Sequence, residues 1–214
     1  TRVVLARECS IEEIKLIHEH NPLELEVFIQ GGLCSSISGK CTLSNYFVLR
    51  DANRGGCAHS CRWDYTLYDG NKIVNPLFPF KIASKDLMGI NQISKLISIG
   101  VTSLKVEGRM RSNYYIATVI STYREAIDLY YEGKLTDEKI EYFSKVLNRV
   151  ANRESTSQFY DKFPTSDEQY YQGRQEVSNQ DFLGIIINYD KETKEVTLSQ
   201  RNYFKKGDIV EIFG

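Results

Sequence analysis

Three times before Gly133, a short β-branched run is followed by a stretch with helical spacing, and that alternation limits the folds open to this chain. Val3 to Ala6 precedes SIEEIKLIHEH, where Ser10 is placed as an N-cap and Glu13 completes a capping box. Leu25 to Ile29 precedes SKDLMGINQISKLISIG, which reads as a helix capped by Ser84 and closed by Gly100. Val101 to Val106 precedes SNYYIATVISTYREAIDLYYEG, capped by Ser112 and closed by Gly133. Strand–helix alternation implies parallel strands joined by helical crossovers. A closed barrel needs eight such units. The expectation is therefore α/β: the C-terminal part of a (β/α)8 TIM-like barrel. A flavodoxin-like open sheet is the alternative, disfavoured because no Gly-rich phosphate loop is present.

Beyond Gly133, TDEKIEYFSKVLNRVAN predicts a further amphipathic helix capped by Thr136. Residues 151–175 are polar and read as a linker. From residue 176 the period changes. β-rich runs surround Ile185 to Ile187, Val196 to Leu198 and Ile209 to Ile212, with turns at KETKE and at Lys206-Gly207-Asp208. This predicts the start of a small antiparallel β-barrel domain over 176–214, after βα units over 1–150. Both ends interrupt strand-like runs, so the sequence reads as part of a longer protein. Three βα units alone would leave strand edges uncovered, which predicts self-association or a partner subunit.

With 42% hydrophobic and 26% charged residues over 214 positions, the chain is of ordinary globular composition. A net charge of −1 carries no global nucleic-acid signal. No signal peptide and no run of about 18 apolar residues is present, so a cytoplasmic protein without a membrane span is expected.

Four cysteines fall directly after the second strand, in GGLCSSISGKCTLSNYFVLRDANRGGCAHSCRW: Cys34, Cys41, Cys57 and Cys61, spaced Cys-x6-Cys-x15-Cys-x3-Cys. In α/β barrels the C-terminal ends of the strands carry the active site. Grouped thiolates are commonly stabilised by a shared metal or cluster. Structural zinc sites show Cys-x2-4-Cys knuckles at each end, whereas iron–sulfur sites tolerate looser spacing. Spacing alone leaves zinc and an iron–sulfur cluster open, with disulfides a lesser alternative. Cys9 lies outside the group and reads as a small buried hydrophobe. Lys40, Arg50, Arg54 and Arg62 outnumber Asp51 across this segment, so it is locally basic and could face an anion.

The third strand ends in LKVEGRMRS, where Lys105, Glu107 and Arg109 alternate with Val106 and Gly108. Alternation sends the three charges one way, toward the mouth of a barrel. Arginine suits carboxylate or phosphate, and Glu107 could act as acid, base or orienter. A structural ion pair is the competing reading. Asn53, Arg54, Arg111 and Glu26 are further candidates for substrate contacts. His59, between two of the cysteines, could support a ligand from outside. The tyrosines of the long helix read as packing residues.

The same stretches resemble a known family. EVFIQGGLCSSISGKCTLS is similar to the signature of the collagenase-like peptidase family U32, with Glu26, Phe28, Gly31, Cys34, Gly39, Cys41 and Ser44 at the expected spacing. The likeness continues through SLKVEGRMRSNYY and into RNYFKKGDIVEIFG. The branch with this C-terminal segment resembles bacterial proteins that install 5-hydroxyuridine at the tRNA wobble position. That resemblance implies tRNA as substrate, prephenate as a carboxylate cosubstrate, and an iron–sulfur cluster of the 4Fe–4S type on the four cysteines, with zinc as the alternative. Cys61 is the ligand whose position varies most among relatives. From their place at the strand ends, Lys105, Glu107 and Arg109 are the expected catalytic residues, and Asn53, Arg54, Arg111 and Glu26 the expected substrate-binding ones. The family name implies a hydrolase instead. No Ser-His-Asp arrangement and no HExxH motif stands out to support it. An RNA-binding module with structural zinc is a third reading.

Overall fold

A computed structural model describes residues 1–74, 77, 79–108, 111–150, 153–170 and 182–212. Its centre is one strand, β2 (Glu24–Gly31). Along one part of β2 runs β1 (Arg2–Val4), parallel, with Arg2 opposite Glu24. Strand β7 (Ser103–Val106) is also parallel to β2, with Lys105 opposite Phe28. Between them in sequence lie helices α1 (Ile11–His20) and α3 (Ile93–Ile99). Helix α4 (Asn113–Tyr131) follows β7, and α5 (Asp137–Val150) packs on α4.

The pleat of β2 divides its side chains. Leu25, Val27 and Ile29 point to one face and are at most 2% exposed. They pack with Ile14 of α1, Leu96 of α3, and Val119 and Tyr123 of α4. Glu26 and Phe28 take the other, polar face with Lys105. Period-two alternation thus gives β2 a helix-covered side and a charged side.

Local caps follow the chemistry of the sequence. Ser10 Oγ accepts from the Glu13 N–H at 3.3 Å while Glu13 accepts from the Ser10 N–H at 2.8 Å. Ser112 Oγ accepts from the Tyr115 N–H at 3.1 Å, and Thr136 caps α5 through the Lys139 N–H at 3.3 Å. Gly100 (φ 99°) and Gly133 (φ 69°) end their helices in the left-handed region that glycine adopts without strain.

The expected helix from Ser84 is corrected. Ala83–Ser84 (β5) and Asp86–Met88 (β6) are strands, and the helix begins only at Ile93 after a 3-10 turn, Ile90–Gln92. Strand β6 pairs antiparallel with the end of β2, Gln30 opposite Met88 and Gly31 opposite Leu87. The ladder to β2 and the pairing of buried Asp86 override the helical periodicity of Leu87, Met88 and Ile90.

The polar stretch read as a linker is folded over 153–170. Strand β8 (Ser155–Thr156) runs parallel to β6, and β9 (Gln169–Tyr170) runs antiparallel to β5. Its polar side chains are used for anchoring: Gln158 donates to the Lys85 carbonyl at 3.0 Å and Gln92 to Asp161 at 2.7 Å. Buried Tyr160 donates to the Phe28 carbonyl. Residues 171–175 lie outside the described residues.

In the C-terminal segment, β10 (Gly184–Tyr189) and β11 (Val196–Gln200) form an antiparallel hairpin with a bulge between Ile186 and Asn188. Ile209 to Ile212, read as a third strand, has no ladder among the described residues, and Ile209 is fully exposed. A hairpin named β3 (Tyr68–Asp69) and β4 (Lys72–Ile73) and a short helix, α2 (Leu43–Val48), complete the elements. No described helix is long and apolar enough to cross a membrane.

Glu168 locks the segment beneath β5. Its carboxylate accepts from the Thr165 N–H at 2.7 Å and pairs with Lys162 at 2.9 Å. The Thr165 backbone bond first, and then Lys162, hold its pKa down to about 2 from 4.5. A depressed carboxylate stabilises the fold above its unfolded pKa and stops doing so as pH falls through the folded one. The Glu168→Gln variant is expected to melt below the wild type at neutral pH. That gap should shrink between pH 4.5 and about 2 in thermal scans followed by circular dichroism.

Candidate functional site

Beyond β2 the chain must turn against β7, and two glycines make room. Gly31 has φ 116°, and a Cβ there would collide with the Glu107 carbonyl oxygen. A Cβ on Gly32 would stand 3.2 Å from Glu107 Oε2 and 3.9 Å from both Arg62 Nη2 and Asp86 Oδ1. Glu107, Arg62 and Asp86 therefore converge on the backbone at the end of β2, where Glu107 N–H donates to the Gln30 carbonyl at 2.8 Å.

Asp86 is the hub. It is 5% exposed and receives three guanidinium groups: Arg111, Arg153 at 3.3 Å and Arg62 at 3.7 Å. Their side chains are themselves 7%, 14% and 15% exposed. Burial lowers the Arg62 pKa, as does the neighbouring Arg153, while Asp86 opposes the shift. Arg111 also lies 5.0 Å from the Tyr115 ring centroid. Tyr123 donates to the Gln30 side chain at 2.9 Å, tying this end of β2 to α4.

The cysteine loop is built on the same corner. Asn53 grips Cys41 in both directions, donating to its carbonyl at 3.0 Å and accepting from its N–H at 3.2 Å. Asp51 caps the 3-10 turn Ala52–Arg54 by accepting from the Asn53 N–H at 2.9 Å. Buried Ser44 of α2 accepts from the Ala58 N–H at 3.0 Å. His59, at φ 56°, donates its N–H to Cys57 Sγ at 3.4 Å. Arg62 Nη2 donates to the Leu33 carbonyl at 3.4 Å, so the turn carrying Cys61 is fastened to the segment that leads from β2 to Cys34.

No cysteine is in a disulfide. The Cys61 thiol is pushed up mainly by burial; Arg62 opposes this, while Cys34 and Cys57 add to it. Among the described residues no three Cys, His, Asp or Glu side chains converge as they would on one metal ion. A single tetrahedral zinc needs its sulfurs about 2.3 Å from one point, whereas a cluster spans thiolates held farther apart. Four thiols are the donor set that an iron–sulfur cluster or a zinc ion takes.

The other expected site residues divide. Glu107 and Arg111 join the Asp86 cluster. Glu26 and Lys105 form a separate pair at 3.2 Å, with Ser103 donating to Glu26 at 3.0 Å and Lys105 lying 5.2 Å from the Phe28 ring centroid. Asn53 is engaged within the loop. Arg54 is 87% exposed and 3.5 Å from Asp51. Arg109 lies outside the described residues. Asp86 and Arg153 were not singled out from sequence; the available signal was one acidic residue, Asp86, at the head of the apolar run LMGI.

Comparison with known proteins places the sequence. The model for peptidase family U32 matches residues 1–170, and that for its C-terminal domain matches 178–214. The chain belongs to peptidase family U32. A tRNA hydroxylation protein P1 from Bacillus subtilis is 46% identical over 220 residues, covering 100% of this chain and 52% of the relative. A collagenase from Porphyromonas gingivalis is 37% identical, covering 71% of this chain and 40% of the relative. A 23S rRNA 5-hydroxycytidine synthase from Escherichia coli is 36% identical, covering 63% of this chain and 20% of the relative. The chain thus spans about half the length of the tRNA-hydroxylation relative it matches. No solved structure matches it.

Because Asp86 offsets three buried cations, removing its charge should be worse than removing one of theirs. Asp86→Asn is expected to cost roughly 3–5 kcal/mol, since it removes the carboxylate that pairs with all three guanidinium groups. Arg62→Met is expected to cost less, because Arg111 and Arg153 still pair with the carboxylate. Urea unfolding of the two variants side by side checks the order.

Proposed function

We propose that this chain is the cysteine-bearing part of a tRNA-hydroxylating protein that acts on the wobble uridine. The observation that carries the reading is the position of Arg62: next to Cys61 in sequence, it joins the buried Asp86 cluster at the end of β2 and donates to the Leu33 carbonyl beside Cys34. The 46% identity to a tRNA hydroxylation protein and the likeness to an rRNA hydroxycytidine synthase support an RNA base as substrate. The parallel order β1, β2, β7 with helices over one face supports a barrel segment whose strand ends carry the site.

In this reading Cys34, Cys41, Cys57 and Cys61 hold an iron–sulfur cluster, which when bound supplies one-electron chemistry. The chain's own residues do the rest. Arg62, Arg111 and Arg153 provide fixed positive charge for a phosphate or a carboxylate cosubstrate such as prephenate. Glu107, beside Gly32 at the strand end, is placed to hold or take a proton. Lys105, paired with Glu26, adds a cation on the polar face, and Arg109 is assigned a role beside it from the sequence alone. An anticodon base can be splayed from its loop to reach such a mouth.

A hydrolase is the second reading, favoured by the 37% identity to a collagenase. A cysteine nucleophile would then have to be one of the grouped thiols. Deleting the gene is expected to abolish wobble 5-hydroxyuridine in tRNA, read by mass spectrometry of nucleosides. The full-length wild type should restore it and Cys57→Ala should not. Anaerobically purified protein should carry iron and sulfide. A colourless protein with stoichiometric zinc, or gelatin cleavage with unchanged tRNA, would overturn the proposal.

A further inference from the structure

Helix α2 lies between Cys41 and Cys57 and turns two aromatic rings outward. Tyr46 is 80% exposed, and its ring meets Phe47 edge-on at 5.0 Å. Phe47 in turn lies 5.7 Å from Trp63 and 5.7 Å from Tyr65. Phe47 and Trp63 remain 42% and 40% exposed. The group is fastened to the cysteine loop: the Tyr65 hydroxyl donates to the Ser60 carbonyl at 2.7 Å, and Trp63 follows Cys61 by two positions. An aromatic cluster held to a rigid turn, yet open to water, forgoes burial that the core could supply.

Charge flanking α2 in the sequence selects the occupant. Lys40 and Arg50 are exposed and make no ion pair among the described residues. The nearby carboxylates are already engaged, Asp51 with Arg54 and Asp64 with Lys81. Aromatic rings on a helix with an exposed cation beyond each end, Lys40 before α2 and Arg50 after it, match unpaired nucleotides, which offer a stacking face on each base and a negative phosphate beside it. An acidic protein patch would use the cations and leave the ring faces idle.

We propose that Tyr46, Phe47 and Trp63 form a stacking shelf for unpaired RNA bases flanking the target, with Lys40 and Arg50 on the adjoining phosphates. The inference rests on the RNA reading above and extends it to a surface outside the thiols and arginines.

The test uses the full-length protein and two RNA probes: an anticodon stem-loop, and a fully paired duplex of the same length. Tyr46→Ala and Trp63→Ala are each expected to weaken stem-loop binding about tenfold and leave the weaker duplex binding unchanged. Tyr46→Phe and Trp63→Phe should retain wild-type affinity. Arg50→Gln should reduce the slope of log affinity against log salt by about 0.7. Thermal melts that match wild type establish that the variants are folded, and Tyr46, the most exposed of the rings, is the safest substitution. Unchanged stem-loop affinity in the alanine variants overturns the shelf alone. A wild type that does not prefer the stem-loop to the duplex overturns both the shelf and the RNA reading. Alanine variants that keep RNA affinity but lose self-association assign the rings to a protein contact, which also overturns the shelf.

Discussion

One buried carboxylate holds this corner of the molecule together. Asp86 draws its three arginines from segments remote from one another in sequence: the cysteine loop, the approach to α4 and the stretch after α5. Each guanidinium brings its own piece of backbone to the end of β2. Desolvating cations of this number is costly, and the cost is met only where a carboxylate and further hydrogen bonds surround them. The position of Asp86 is set by β6, which is why that short antiparallel strand matters more than its length suggests.

Steric room is the second constraint. The turn after β2 brings backbone against backbone at Gly31 and Glu107, and the next glycine leaves space into which Glu107, Arg62 and Asp86 all reach. The polar face of β2 ends in this gap, while its apolar face ends under α4 through the Tyr123–Gln30 bond. One strand therefore connects the hydrophobic core to the charged corner, with opposite chemistry on its two sides.

Much of this was legible in the sequence where the determining interaction is local. Ser10 with Glu13, Ser112 with Tyr115, and the left-handed Gly100 and Gly133 each act within a turn, and the structure shows each as expected. The cysteine grouping was visible because its residues are close in sequence. Strand β6 was not, because it owes its conformation to partners at Gln30 and Gly31 and to arginines as distant as Arg153. The anchoring of 153–170 was hidden for the same reason: Gln158 and Asp161 look like linker residues until Lys85 and Gln92 are placed beside them. Asn53 read as a substrate contact, and only the fold reveals that Cys41 occupies both ends of its amide.

Arg62 belongs to two electrostatic communities at once. It feels Cys61 on one side and Asp86, Arg111 and Arg153 on the other. Its guanidinium also fixes backbone, holding the Leu33 carbonyl while it reaches Asp86. A displacement of the loop that carries Cys61 is therefore felt at the Asp86 cluster, with a single side chain as the conduit between them.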